Sequence, residues 1–238
     1  MDYQEIIKYL KRQANAKNVE GMARFGINPK NTLGISIPFL RGLAKKIRSR
    51  YASSNEASRD LHTLAIKLWN SRIHEARILA SYIDEVEKVT EKQMDEWAAD
   101  FDSWDTCDQV CGLFEETPYA YKKIIEWSKR KEEFVKRAAF ALLAGMSVHN
   151  KKAPDSTFIK FFPIIKRESI DERNFVRKAV NWALRNIGKR NRNLNKAAIK
   201  LAREINKTNS KSAHWIAKDA LRELNYVRIK LLGGKKDV

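Results

Sequence analysis

A chain of 238 residues fits one domain or at most two, and it is long enough to bury a substantial core. Lys and Arg number 47 against 29 Asp and Glu, a net charge of +18 whose natural counterpart is a polyanion. With only 9 Gly and 5 Pro the chain lacks the turns of a many-stranded fold, and the Lys, Arg, Glu, Ala and Leu that dominate it favour helix.

The first residues, MDYQEIIKYLKR, carry charge throughout and do not form a signal peptide. No later stretch approaches the roughly 20 apolar residues of a membrane span. A soluble, cytoplasmic, nucleoid-associated protein is expected. Helical periodicity then recurs along the whole chain, predicting roughly a dozen helices and no strands. The breaks carry turn chemistry at Gly26 to Gly34, Thr117-Pro118, Ala153-Pro154-Asp155, Gly188 and Asn206 to Asn209. Ser36-Ile37-Pro38 reads as the entry to one helix, and Gly145 and Gly188 as the exits of two others.

One segment departs from a plain amphipathic helix: Phe101-Asp102-Ser103-Trp104-Asp105-Thr106-Cys107-Asp108-Gln109-Val110-Cys111. Asp102 or Ser103 can cap its start, and a spacing of four puts Trp104 and Asp108 on one face. Two uses fit that pair. Indole and carboxylate share a functional surface, or Trp104 packs in the core while Asp108 pairs with a neighbouring Arg. Cys107 and Cys111, the only cysteines, read as packing residues in a reducing compartment rather than as a disulfide framework.

The second half repeats itself. FVKRAAFALLAG from Phe134 is echoed by FVRKAVNWALRNIG from Phe175 and by WIAKDALREL from Trp215, at offsets of 41 and 40 residues. That period suits two antiparallel helices with their turns, the unit of HEAT and armadillo arrays, in which each repeat buries its apolar stripe on its neighbours. The expected fold is all-α, a curved α-solenoid of HEAT-like antiparallel helix pairs forming one domain over 1–238, with the clearest repeats over about 118–225. An ordinary helical bundle is the alternative.

In the echoed helices Phe134, Ala138 and Ala141, or Phe175, Ala179 and Trp182, form one apolar face. Lys136 and Arg137, or Arg177 and Lys178, lie beside it, so stacking aligns cations into a track. Such a track neutralises backbone phosphates with little sequence preference, although a merely solvated surface has the same pattern. Trp182 and Arg185, three apart, share a helix surface. A core Trp and an Arg approaching a helix C-terminus would read the same way.

Together SWDTCD, FVKRAAF, KAVNWALR and SKSAHWIAKDALREL resemble the AlkD family of DNA glycosylases, built from HEAT-like repeats. The resemblance runs from about Met22 to Leu224 and is strongest from Trp104 onward. It implies hydrolysis of the N-glycosidic bond of N3- or N7-alkylated purines in duplex DNA, bound in a basic concave groove, without rotating the base into a pocket. It assigns the catalytic carboxylate to Asp108, its aromatic partners to Trp104 and Trp182, and backbone contacts to Arg137 and Arg185. Lys211 and Ser212, near a helix start, are further candidates for phosphate. The chain departs from the best-known form of the family in having a single Trp, after Ser103, where that form has a WWD string. It also carries His214 where related sequences carry a cation.

His62, His74, His149 and His214 are scattered, and no zinc-like pair of pairs or Gly-rich phosphate loop is present. No metal or cofactor is expected, water being the only cosubstrate, and a monomer is expected. Two other functions fit the same charge: a non-catalytic protein gripping branched or distorted DNA, and a helical scaffold for an acidic chain.

Overall fold

A computed structural model of the chain describes residues 1–53 and 60–233, with side chains to Tyr226. Among these residues the regular structure is helical, with no strand. The helices are α1 (Tyr3–Arg12), α2 (Ala16–Arg24), α3 (Ile37–Ala52), α4 (Leu61–Asn70), α5 (His74–Ile83), α6 (Glu91–Ala99) and α7 (Trp104–Phe114). They continue as α8 (Ala120–Trp127), α9 (Glu133–His149), α10 (Asp155–Ile159), α11 (Phe162–Glu168), α12 (Asn174–Lys189), α13 (Arg192–Ile205) and α14 (Lys211–Gly233). Side chains start several of them: Asp2 and Glu5 make a reciprocal capping box, and Asn15, Asp60, Thr90 and Asn191 each accept a first-turn N–H. Ser36 stands at the N-cap of α3 with Pro38 in the first turn, as the sequence predicts.

The chain divides into two compact units, Met1–Tyr119 and Ala120–Val238. In the first, α5 lies against α3, α4 and α7 and is buried along its whole length except Tyr82. A stack of Trp69 on Trp97, 4.1 Å between ring centroids, fills the space below it. Arg77 lies 4.9 Å over the Trp69 ring and donates to an Asp100 carboxylate oxygen at 3.0 Å, so its charge is satisfied where it is buried.

In the second unit the echoed helices α9, α12 and α14 pack in series, with α8 against α9 and α13 against both α12 and α14. Phe134 and Phe175, equivalent residues of successive repeats, stand 5.5 Å apart, so the sequence echo is also a physical contact. Ala138, Ala179 and Ala183 lie fully buried along these helices and let them approach closely. Charge is divided unequally between the units. Residues 1–119 carry 17 Lys and Arg against 18 Asp and Glu, whereas residues 120–238 carry 30 against 11. The whole positive excess therefore belongs to the repeat-bearing half.

Of the two expected helix exits, that at Gly188 holds to within a residue and that at Gly145 is corrected. Gly145 lies inside α9, which continues to His149 because Met146 and Ser147 beyond it stay buried. Gly188 is the last residue but one of α12, and a Cβ there would come within 2.6 Å of Leu224 Cδ2 and 2.9 Å of Ala198 Cβ. Glycine at 188 serves the close approach of α13 and α14 rather than a turn. Among the described residues no helix is long and apolar enough to cross a membrane, and no group of three or more His, Cys, Asp or Glu is placed to hold a metal ion.

Gly188→Ala is expected to destabilise the protein, because overpacking of about 1–3 kcal/mol outweighs the roughly 1 kcal/mol that Ala gains over Gly in a helix. Gly21→Ala, at a position in α2 with nothing within 4 Å, should show only the gain. Thermal unfolding of the two variants checks this; equal upward shifts would mean that position 188 has room.

Candidate functional site

The N-terminal turn of α7 carries the pair singled out in the sequence. Trp104 and Asp108 are both half-buried and lie one turn apart on the same helix face. Ser103 holds the N-cap position but does not cap. Its hydroxyl accepts the backbone N–H of Asn28 at 2.8 Å, and Asp102 accepts from the Asn28 side-chain amide at 2.8 Å. The loop between α2 and α3 thus takes both groups expected at the helix start, and Asp105 instead accepts the Thr106 N–H at 2.9 Å.

Trp104 is neither a core residue nor a free surface ring. Its indole N–H donates to the Phe25 carbonyl at 3.0 Å, and it lines a cavity of about 670 Å³ with Met22, Arg24, Phe25, Ile27 and Ile35. Phe25 is 73% exposed beside it. The cavity is thus open and walled in part by two aromatic residues. Cys107 and Cys111, one turn apart on α7, are buried, and burial pushes the Cys111 thiol well above its ordinary range, helped by Cys107 and the Asp108 charge.

Two adjacent residues of α5 hold this site in place. Glu75, with no solvent exposure, accepts backbone N–H groups from Leu33, Gly34 and Ile35 at 2.6–3.1 Å. Gly34 has φ +79°, and a Cβ there would meet the Asn15 carbonyl oxygen at 2.4 Å, so the loop needs glycine to present that row of donors. His74 faces the other way, its Nε2 2.9 Å from Asp105 of α7 and its Nδ1 3.2 Å from the Thr106 hydroxyl. Burial alone would depress the His74 pKa, but the Asp105 hydrogen bond and charge, with the charges of Glu75 and Asp102, raise it above the usual value.

A second cleft of about 730 Å³ lies between α3, α5 and α7. Gln109, next to Asp108, accepts from Tyr82 of α5 and from Arg41 of α3, the latter at 3.4 Å. Arg41, Lys45 and Arg48 line one wall, and Asp84, Glu85 and Glu87 also face the cleft. The sequence reading does not find this group. Its signal is the spacing of the three α3 cations, four and three residues apart.

In the second unit Trp182 is half-buried on α12, with Arg185 three residues on. Arg185 pairs with Glu223 and lies 3.6 Å from Asp219, both on α14. The expected open track of cations is corrected at its first pair. Lys136 pairs with Glu168 at 2.6 Å and Asp171 at 3.3 Å, while Arg137 is 6% exposed and donates to the Phe175 carbonyl at 2.7 Å. The partners come from the next repeat, which the one-helix pattern does not reveal. Arg177 lies 5.1 Å over the Trp215 ring, and Lys178 and Lys211 are exposed. Ser212 is corrected too: it is fully buried, and Glu172 accepts its N–H at 3.1 Å where an anion at the start of α14 would sit.

The profile of the family described as DNA alkylation repair enzyme matches residues 6–224. The chain belongs to the DNA alkylation repair enzyme family. A solved structure described as "A new family of proteins related to the HEAT-like repeat DNA glycosylases with affinity for branched DNA structures" superposes with a TM-score of 0.75. It covers 96% of each chain at 17% identity, and the fold is thereby HEAT-like. No curated protein sequence matches the chain. Within this member of the family, Trp104 and Asp108 stand half-buried on one helix face, and both the loop and the helix that bound them are fastened to α5.

Because the folded-state pKa of His74 is raised, its stabilisation is complete below the unfolded value of about 6.5 and is lost as pH rises through the folded value. Urea unfolding from pH 5.5 to 9 should show the stability difference between wild type and His74→Gln shrinking as pH rises. Glu75→Ala leaves buried backbone N–H groups without an acceptor and is expected to cost at least about 3 kcal/mol in the same assay, taking about 1–3 kcal/mol for each group.

Proposed function

We propose that this protein is a DNA glycosylase that hydrolyses the N-glycosidic bond of N3- or N7-alkylated purines in duplex DNA. The observation that carries the reading is the pairing of Trp104 and Asp108 on one half-exposed face of α7 in a chain of the DNA alkylation repair enzyme family. An alkylated purine already carries positive charge, so it leaves readily. The C1′–N9 bond breaks with its electron pair moving to the purine, whose charge it cancels. Water then adds to C1′ and gives up a proton, leaving an abasic site.

The barrier lies in the positive charge that develops on the sugar. A carboxylate at Asp108 opposes that charge and orients the incoming water, and the face of the Trp104 indole adds attraction to it. The hydrogen bond from Trp104 to the Phe25 carbonyl fixes the ring before DNA arrives. Trp182 keeps the aromatic role that the resemblance implies for it, and the base stays in the stack.

In the second unit Lys178 and Lys211 offer exposed charge to backbone phosphates, and Arg177 presents its guanidinium from the Trp215 face. Arg185 exchanges a carboxylate for a phosphate, and Arg137 lends its charge from beneath the surface. The net charge of residues 120–238 supports this assignment of the grip to the second unit.

A second reading, a non-catalytic binder of branched DNA, is favoured by the single Trp. Ser103, where the best-known family form has another Trp, is buried and bonded to Asn28. Base release from duplex carrying N7-methylguanine separates the two. Under single-turnover conditions Asp108→Asn should lose about 10²- to 10³-fold in rate with binding retained. Equal release by both proteins would remove Asp108 from the chemistry, and no release by wild type, with tight binding to a four-way junction, would favour the binder.

A further inference from the structure

Besides Arg177, Lys178 and Lys211, the cations of the second unit include two sets with opposite uses. One set is spent within the fold. Lys136 and Arg173 share Asp171, Arg185 and Lys189 share Glu223, and Arg190 donates to the carbonyls of Ser147, Asn150, Lys151 and Ala153. The other set is a row on α13: Lys196, Lys200 and Arg203, with Lys207 in the turn that follows the helix. Their spacings of four, three and four residues place them in one narrow stripe. All four are exposed, and among the described residues none of them makes an ion pair.

The opposite face of α13, with Leu194, Ala198, Leu201, Ala202 and Ile205, is buried where the helix packs on α12 and α14. The stripe therefore points away from the helices that carry Trp182, Arg177 and Lys211. The one acid of α13, Glu204, is tied to Lys166 of α11 at 3.0 Å, and Lys166, then Lys200 and Lys207, hold its carboxyl below the ordinary range. The α13 face is thus strongly positive at its own surface.

A solvated helix face explains single lysines, and the helix dipole favours Arg203 and Lys207 near the C-terminus. Neither explains Lys196 and Lys200, like charges one turn apart in mid-helix, which repel each other and weaken the helix. A polyanion laid along the row removes that repulsion. The exposed residues of α13 include no apolar or aromatic side chain, so the face lacks the anchor on which a protein partner would be held. A duplex needs none. It presents a charge about every 1.7 Å, so a row of cations spaced about 5–6 Å apart meets phosphates in any register.

We propose that the α13 stripe is a second site for the phosphate backbone of duplex DNA, so that one molecule holds two duplex segments at once, as where helices cross or branch. This rests on the glycosylase reading only for the first segment, held by the face of α12 and α14. The second is held by charge alone and carries no sequence or lesion preference.

The test uses the full chain saturating an immobilised undamaged duplex, to which a fluorescent second duplex is added at increasing salt. Wild type should capture the second duplex with a slope of log affinity against log salt of about −3 to −4, a loss of roughly a hundredfold between 50 and 200 mM. The variant Lys196→Gln/Lys200→Gln/Arg203→Gln/Lys207→Gln should stay on the first duplex, keep the wild-type rate of N7-methylguanine release and capture no second duplex. Its melting temperature at low salt should equal or exceed that of wild type, since repulsion is removed; a lower value, or capture by this variant equal to wild type, overturns the proposal. Failure of wild type to capture a second duplex, or capture of an acidic polypeptide in its place, does the same. Capture by wild type without base release would leave this proposal standing and sink the glycosylase reading, and base release without capture would do the reverse.

Discussion

The tight packing of α12 is the constraint on which the second unit depends. This helix meets α9, α11, α13 and α14, and along it small or glycine residues recur where a neighbour comes close. At Gly188 not even a Cβ fits. Helices held this close pass polar side chains across their seams at a fixed step. Asn181 donates to Asp219 and Arg185 to Glu223, each pair 38 residues apart, so the apolar repeat brings a polar repeat with it. A change that opened the seam at 188 would loosen the ion pairs around Arg185 as well.

The first unit relies on a different device, the buried carboxylate. Glu75 and Asp84 are inaccessible, and each collects donors from separate segments: Glu75 from the loop before α3, Asp84 from His62, Gln93 and the Glu85 N–H. Burial raises the Asp84 carboxyl, and its hydrogen bonds only partly offset this. Acids used this way account for part of the near-neutral balance of residues 1–119. Under the proposed function this amounts to a division of labour. The half with Trp104 and Asp108 is not a strong attractor of phosphate, and the charge that draws a polyanion lies in the other half.

Much of this was legible in the sequence. The breaks at Gly26 to Gly34, Thr117-Pro118 and Ala153-Pro154-Asp155 separate helices, and the echo from Phe134 to Phe175 is a stacking contact. Local chemistry set these features, so a local reading found them. Gly145 misled because a glycine inside a helix looks like a glycine ending one until its neighbours are known. The face shared by Trp104 and Asp108 followed from spacing, but the use of Ser103 and Asp102 did not, since Asn28 is more than 70 residues away. Lys136, Arg137 and Arg185 looked like surface cations for the same reason: their partners sit one repeat along. The α13 stripe was present in the spacing and lacked an echo to draw attention to it.

Both cysteines of the chain are buried in α7, and burial holds the Cys111 thiol well above its ordinary range. Reagents that methylate purines are soft electrophiles, and an accessible thiolate is among the first groups they consume. A protein of alkylation repair works where those reagents are present. With both sulfhydryls buried within the fold, this one offers them no ready nucleophile on α7.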